Sequence, residues 1–175
     1  MKVQPLFALM LLCGVMACAQ ADDVQLNFSG TIKSPSCLPD PSSMTMDRQV
    51  SLGSVSTTVL GGPGDLSDPV DFDLVINCPV AGPGTATVQF SARADASDPT
   101  LIAIDGGDNS ASGVAIRLEE ENGTKLPLDQ VSAARALVPG LNSLNYRARY
   151  QALIDRPGIV PGVANGTAQF TINYQ

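Results

Sequence analysis

The chain lacks histidine and tryptophan altogether, and each absence excludes a class of protein. Without histidine, neither a Ser–His–Asp triad nor histidine-based acid–base catalysis can be built. A zinc site is also short of ligands, because cysteine is scarce and imidazole is missing. Without tryptophan, the Cys…Trp…Cys core of antibody domains is absent. The composition therefore predicts neither an enzyme nor a protein that carries a metal or another cofactor.

Basic residues are also few, with 10 Lys and Arg against 17 Asp and Glu, and the net charge is −7. An acidic chain repels nucleic acid, so we expect no nucleic-acid partner. The acidic clusters, Glu119-Glu120-Glu121 and Asp105 with Asp108, lie beside turn sequences. Carboxylate pairs can hydrolyse glycosides and acidic loops can hold calcium, but these positions are typical of solvated turns.

A single long apolar run occurs, at residues 5–16, and it is too short to span a bilayer comfortably. Lys2 precedes it, and Ala19-Gln20-Ala21 follows with the small-x-small pattern that signal peptidase recognises. Residues 1–21 are therefore predicted to be a signal peptide, and the protein is expected to be exported. One alternative stays open, because residues 15–18 resemble a lipoprotein box in which Cys18 would carry a lipid.

Two of the four cysteines, Cys13 and Cys18, lie in the predicted signal peptide. The remaining pair, Cys37 and Cys78, is predicted to form a disulfide, because exported proteins fold in an oxidising compartment. Such a bond closes a loop of about 40 residues and stabilises the fold by roughly 4 kcal/mol in the chain-entropy account.

Short alternating runs of apolar and polar residues, separated by Gly- and Pro-rich turns, make up most of the remaining chain. This pattern is typical of strands that are half-buried in a sheet. The predicted strands cover residues 24–32, 46–52, 70–76, 85–92, 101–104, 114–118, 125–128, 144–154 and 168–175. Asn122-Gly123 predicts a hairpin turn, and residues 133–137 are compatible with a helical turn. Together these segments predict one all-β domain with an immunoglobulin-like sandwich.

Both ends of the predicted mature chain are strongly patterned, whereas the ends of most domains fray. Near the N-terminus, alternate positions on one face carry Val24, Leu26, Phe28, Gly30 and Ile32. At the C-terminus, the shared face carries Phe170, Ile172 and Tyr174. Both segments fit ordinary strands of one sandwich. They also fit a sandwich that lacks a strand and receives it from a neighbour, through backbone hydrogen bonds and alternating side-chain pockets.

Several motifs occur in a characteristic order. Phe28-Ser29-Gly30 begins nine residues before Cys37, and residues 50–53 look like a first sandwich strand. Residues 72–78 look like a strand that ends in the second cysteine, residues 113–126 look like a central hairpin, and residues 144–150 look like a late strand. Tyr174 is the penultimate residue and Gly162 is the fourteenth from the end. In this order and spacing, residues 22–175 resemble the type 1 fimbrial subunits of the chaperone–usher pathway.

The resemblance implies an incomplete immunoglobulin-like sandwich, which a donor strand from a neighbouring subunit completes. Residues 22–33 would be the donor extension, and residues 34–175 would be the sandwich domain. The donor residues carried over by position are Val24, Leu26, Phe28, Gly30 and Ile32. The residues assigned to the acceptor groove and the C-terminal strand are Gly162, Phe170, Ile172 and Tyr174.

The same resemblance implies partners and a location. The expected partners are other copies or related pilus subunits, a periplasmic chaperone and an outer-membrane usher. The protein would pass through the periplasm to a fimbrium on the cell surface, where it would support cell adhesion. The alternative function is that of a monomeric periplasmic or lipid-anchored β-sandwich binding protein.

Overall fold

Antiparallel strands make up most of the regular structure, as the alternation of apolar and polar residues predicts. The computed structural model describes residues 36–39 and 49–175. The strands in these residues are β1 (Leu38–Pro39), β2 (Val70–Cys78), β3 (Thr85–Ala92), β4 (Ile102–Ala103), β5 (Val114–Glu120), β6 (Arg135–Ala136), β7 (Gly140–Ala152) and β8 (Ala168–Tyr174). Two 3₁₀ turns, Thr57–Val59 and Arg156–Gly158, complete the regular elements of this part of the chain.

The strands form two sheets in which neighbouring strands are antiparallel. The large sheet has the order β1-β2-β7-β5-β4, and the small sheet has the order β6-β3-β8. The long strand β7 lies at the centre of the large sheet, where it pairs with β2 on one side and with β5 on the other. This arrangement confirms the predicted all-β, immunoglobulin-like fold class.

The hydrophobic core lies between the two sheets. Alternate side chains of β2 and β7 are buried there, among them Ile76 and Tyr146, since alternate residues of a strand point to one face. Val88 and Phe90 of β3 contribute from the small sheet. The rings of Phe90 and Tyr146 lie 5.2 Å apart with an interplanar angle of 81°, which is the edge-to-face geometry that aromatic pairs favour.

The predicted disulfide between Cys37 and Cys78 is present and marks one end of the domain. We call this end the disulfide pole; it consists of residues 36–39, 76–85 and 136–143. We call the opposite end of the domain the far pole; it contains the two 3₁₀ turns, Thr57–Val59 and Arg156–Gly158. A second apolar cluster fills the far pole, and its buried members are Leu60, Val114, Ala152 and Ile159.

The predicted hairpin at Asn122-Gly123 is also present. Gly123 has a φ of 85°, a left-handed conformation that glycine adopts without strain. Its N–H donates to the Glu120 carbonyl at 2.9 Å. Beyond the turn, the Leu126 N–H donates to the Leu118 carbonyl at 2.9 Å, so the chain returns along β5.

Other sequence predictions differ from the structure. Strand β7 begins at Gly140, four residues before the predicted start, because its pairing with β2 continues to Cys78. Residues 49–52 form no strand, and residues 125–128 contribute an isolated bridge. Residues 133–137 hold β6, which pairs with β3, instead of a helical turn. For β7 and β6 the deciding partners, β2 and β3, are distant in sequence, and a local pattern does not contain them.

The predicted signal peptide, residues 1–21, and the predicted donor extension, residues 22–33, lie outside the described residues. Among the residues that the structure describes, no helix is long and apolar enough to cross a membrane. In the same part of the chain, no group of His, Cys, Asp and Glu side chains is arranged to hold a metal ion.

Candidate functional site

The last strand, β8, lies at the edge of the small sheet. It pairs with β3 on one side, and no other strand of residues 36–39 and 49–175 pairs with it. The register places Phe170 opposite Phe90 and Ile172 opposite Val88. An edge strand of this kind presents unpaired N–H and C=O groups to any strand that can reach it.

The core-facing side chains of β8 are only partly covered. Residues directly opposite each other on antiparallel strands project to the same face, so Phe170 and Ile172 point toward the core as their partners do. Phe90 and Val88 are 4% and 0% exposed, whereas Phe170 is 37% exposed and Ile172 is half-buried. Within the part of the chain that the structure describes, the core is therefore open along β8.

The hydrogen-bond register turns the backbone groups of these same residues away from β3, their one strand partner among the described residues. Thr85 and Gln175 exchange both N–H···O bonds, each 3.0 Å long. Because bonded and non-bonded positions alternate in an antiparallel pair, Phe170, Ile172 and Tyr174 fall at non-bonded positions relative to β3. Their N–H and C=O groups point toward the open edge.

The other edge of β3 supports this register. The Val88 N–H donates to the Ser132 hydroxyl at 2.8 Å, and the Val88 carbonyl accepts from the Ser132 N–H at 2.8 Å. Both backbone groups of Val88 thus point away from Ile172 on β8. The Phe90 carbonyl likewise accepts from the Asp129 N–H at 2.9 Å.

Phe72 of β2 is connected to β8 through the ring of Phe90, which neighbours both Phe72 and Phe170. The half-buried Phe72 ring lies 6.1 Å from that of Phe90, and the Phe90 ring lies 6.2 Å from that of Phe170. We call the surface formed by Phe72, Phe170, Ile172 and Tyr174 the β8 groove. Sequence reasoning placed the last three on one face and missed Phe72 as a groove residue, since its alternation matches that of an ordinary core strand.

Tyrosine hydroxyls stabilise the groove and the segment before β8. The Tyr174 hydroxyl donates to the Cys37 carbonyl at 3.3 Å, which places this end of β8 at the disulfide pole. The Tyr150 hydroxyl donates to the Ala164 carbonyl at 2.8 Å, just before β8 begins. Burial raises the pKa of both phenols, which favours the protonated hydroxyl that donates each of these bonds.

Gly162 lies six residues before β8 and packs against the loop at residues 109–111. A Cβ atom at this position would overlap the Asn109 carbonyl oxygen and lie 2.7 Å from the Ala111 nitrogen. The next residue, Val163, bonds the same loop through its N–H and C=O, both at 2.8 Å. Gly162 therefore seats the segment that leads into β8, and it does not line the edge itself.

The sequence predicts that the acidic cluster at residues 119–121 is a solvated turn, and for two of its three residues this prediction is wrong. Glu119 and Glu120 are buried, and arginines neutralise the cluster. The ion pairs are Glu119 with Arg117 and with Arg149, both at 2.8 Å, and Arg135 with Glu120 at 3.4 Å and with Glu121 at 3.2 Å. These carboxylates are committed to structural ion pairs and do not form an acid–base pair.

Comparison with known families covers most of the chain. The family model described as "Fimbrial protein" matches residues 26–175. The chain belongs to the fimbrial protein family. The type-1 fimbrial protein A chain of Salmonella typhi is 32% identical over 178 residues, which cover 96% of this chain and 94% of that protein. The fimbrial-like protein FimF of Salmonella typhimurium is 37% identical over 131 residues, or 73% of this chain and 72% of that protein.

Solved structures agree with this assignment. A type I fimbria protein and antigen of Burkholderia pseudomallei has a TM-score of 0.61 at 29% identity, over 85% of this chain and 96% of that chain. The P pilus rod subunit PapA shares the fold, with a TM-score of 0.64 at 24% identity over 79% of this chain and 99% of that chain. The fimbrial family is one of structural subunits and not of enzymes.

Proposed function

We propose that this fimbrial subunit polymerises by donor-strand exchange, in which residues 22–33 of one copy occupy the β8 groove of the next. One observation carries the proposal. The β8 residues whose side chains face the open core, Phe170, Ile172 and Tyr174, are also those whose backbone groups face the open edge. A strand laid along β8 therefore gains hydrogen bonds and apolar contacts at the same positions.

The N-terminal segment has the period that such a groove requires. Alternate residues of a strand lie on one face, and here they are Val24, Leu26, Phe28, Gly30 and Ile32. Burying the four large apolar side chains contributes roughly 6–12 kcal/mol gross. Each new backbone hydrogen bond adds about 0.5–1.5 kcal/mol, while ordering the segment costs about 1–2 kcal/mol per residue. Because gains and costs are comparable, completion of the acceptor's own core supplies the remainder.

The groove needs a temporary occupant before polymerisation, because an open edge with an apolar flank is prone to aggregation. The proposed occupant is a periplasmic chaperone, and the proposed exchange takes place at an outer-membrane usher. The fimbrium then reaches the cell surface, where the protein contributes structure to adhesion and performs no catalysis. The family resemblance and the open edge of β8 support this route.

Gly30 is proposed to lie where the donor backbone comes closest to the acceptor core, a position that favours a residue without a side chain. We expect Gly30→Asn to fold with its chaperone and to form no SDS-resistant polymer, because the added side chain has no room. Gel ladders of unheated fibres measure the effect. Ser29→Asn, on the opposite face of the strand, is the matched control and polymerises normally. Full-length ladders from Gly30→Asn would exclude the donor assignment.

A further inference from the structure

The disulfide pole exposes apolar side chains, and the three segments that form it carry no charged side chain. Residues 36–39, 76–85 and 136–143 include no Asp, Glu, Lys or Arg, although the chain carries 15% charged residues. Its exposed large apolar side chains are Leu38, Val80, Val138 and Leu141, each between 59% and 89% exposed. We call these four residues the disulfide-pole patch. Depletion of charge together with exposed apolar groups is typical of the centre of a protein–protein interface.

The far pole carries a second exposed apolar group. Its members are Val59, Ile154, Val160 and Val163, each between 41% and 54% exposed, and we call them the far-pole patch. Asp155 and Arg156 lie among them and are exposed. An apolar centre beside charged residues matches the arrangement of interface core and rim.

The proposed donor extension determines what approaches the disulfide pole. Leu38 follows Ile32, at the end of the donor face, by six residue steps. Such a length of chain spans at most about 20 Å. Once residues 22–33 sit in the groove of another copy, the disulfide pole of the donor therefore lies close to the body of that copy.

The structure also decides which end of the acceptor is involved. The Tyr174–Cys37 hydrogen bond places one end of the β8 groove at the disulfide pole. If the donor extension left the groove at this end, two disulfide poles would face each other. The acceptor would then fill the space at the donor's own disulfide pole. The next copy needs that space to insert its extension into the donor's groove, so growth would stop. A growing fibre therefore requires the extension to leave at the Phe170 end, beside the far pole, in a head-to-tail arrangement that repeats without closing.

We propose that the disulfide-pole patch of one copy packs on the far-pole patch of the next copy, as a second contact besides the donor strand. The inference rests on the proposed donor-strand exchange. It adds an interface between the folded bodies, in which two exposed apolar surfaces cover each other. The donor strand keeps neighbouring copies from dissociating, and the contact between the poles restricts bending between them.

Cross-linking tests the contact directly. Fibres of the variant Leu141→Cys with Val163→Cys are treated with a short bis-maleimide and then fully denatured. Within one copy, the eleven residue steps from Leu141 to Ala152 along β7 already span about 36 Å, so a short linker joins only different copies. We expect a covalent ladder from this pair. The control is Leu141→Cys with Val131→Cys, since Val131 is 56% exposed and belongs to neither patch, and it should give no ladder.

The outcomes separate the two proposals. If SDS-resistant polymer is present before denaturation but neither pair cross-links, or both do equally, donor-strand exchange stands and the contact between the poles is excluded. If the chain forms no polymer at all, both proposals fail. Leu141→Glu gives an independent measurement by electron microscopy: fibres of normal length should have a persistence length reduced at least twofold, and an unchanged persistence length would overturn the inference.

Discussion

Asp98 shows how one carboxylate joins two parts of the domain. Its Oδ1 accepts from the Thr100 N–H at 3.0 Å and from the Thr100 hydroxyl, and its Oδ2 pairs with the Lys125 ammonium at 3.1 Å. The Thr100 hydroxyl bond lowers the pKa of Asp98 below its usual 3.8, with further help from the Thr100 N–H and Lys125 and against the effect of burial. The loop before β4 is thereby attached to the hairpin that follows β5.

This depressed pKa makes the stability of the domain sensitive to acid. The charged form of Asp98 stabilises the fold above the unfolded-state pKa of about 3.8, and that contribution is lost as the pH falls through the lower pKa of the folded state. We expect Asp98→Asn to lower the free energy of unfolding at neutral pH by about 1.5 kcal/mol. The difference from wild type should shrink as the pH falls below 3.8.

Urea denaturation at a series of pH values measures this difference. Asp108→Asn is the control, because Asp108 is exposed and has no hydrogen bond or ion pair in the described structure. The assigned role of the carboxylate would be contradicted if the difference in free energy of unfolding between Asp98→Asn and wild type stayed constant from neutral pH to well below 3.8.

At the scale of elements, β8 combines an edge that no second described strand pairs with and a side-chain face that is only partly covered. Phe170 contributes the most exposed apolar side chain of the β8 groove. Covering a ring of this size is worth up to about 1.5–3 kcal/mol. We therefore expect fibres of Phe170→Ala to dissociate in SDS at a lower temperature than wild-type fibres. Gels of samples heated in steps measure the midpoint.

Thr171→Ala is the matched control for that prediction. Thr171 is the next residue of β8, and it is exposed on the face away from the core. Its hydroxyl takes no part in the groove, so the dissociation temperature should not change. An equal fall for both variants would mean that β8 stability, and not groove contact, sets the strength of the fibre.

The sequence predicts most strands correctly because their alternation is local. The bounds of β2, β3 and β8 lie within two residues of the predicted ones. The open edge of β8 could not be predicted in the same way, since Phe170, Ile172 and Tyr174 would alternate identically in a closed sandwich. The difference lies in the pairing of Thr85 with Gln175, two residues that are far apart in the chain, and in the absence of a second neighbour among the described strands.

At the scale of the whole molecule, the disulfide joins the first described residues to the central strands. Cys37 and Cys78 are separated by 41 residues, and closing such a loop is worth about 4 kcal/mol in the chain-entropy account. The backbone carbonyl of Cys37 also accepts the hydrogen bond from the Tyr174 hydroxyl. We expect Cys37→Ser with Cys78→Ser to lose about this free energy of unfolding, as measured by urea denaturation of the purified subunit.

Reduction of the wild-type protein provides the internal control for the disulfide. Wild type in reductant should match the double serine variant, because both lack the same covalent bond. A loss well under 1 kcal/mol in both cases would mean that the unfolded chain is already confined without the bond.

The composition of β8 has a consequence for the cell that makes this protein. Residues Ala168–Tyr174 include no charged residue and no proline, which are the gatekeepers that commonly protect an edge strand from wrong pairing. Under the proposed donor-strand exchange, a gatekeeper here would also hinder the incoming donor strand. If a capping partner covers this edge before assembly, as proposed, its supply sets an upper limit on how fast subunits can be made without loss to aggregation.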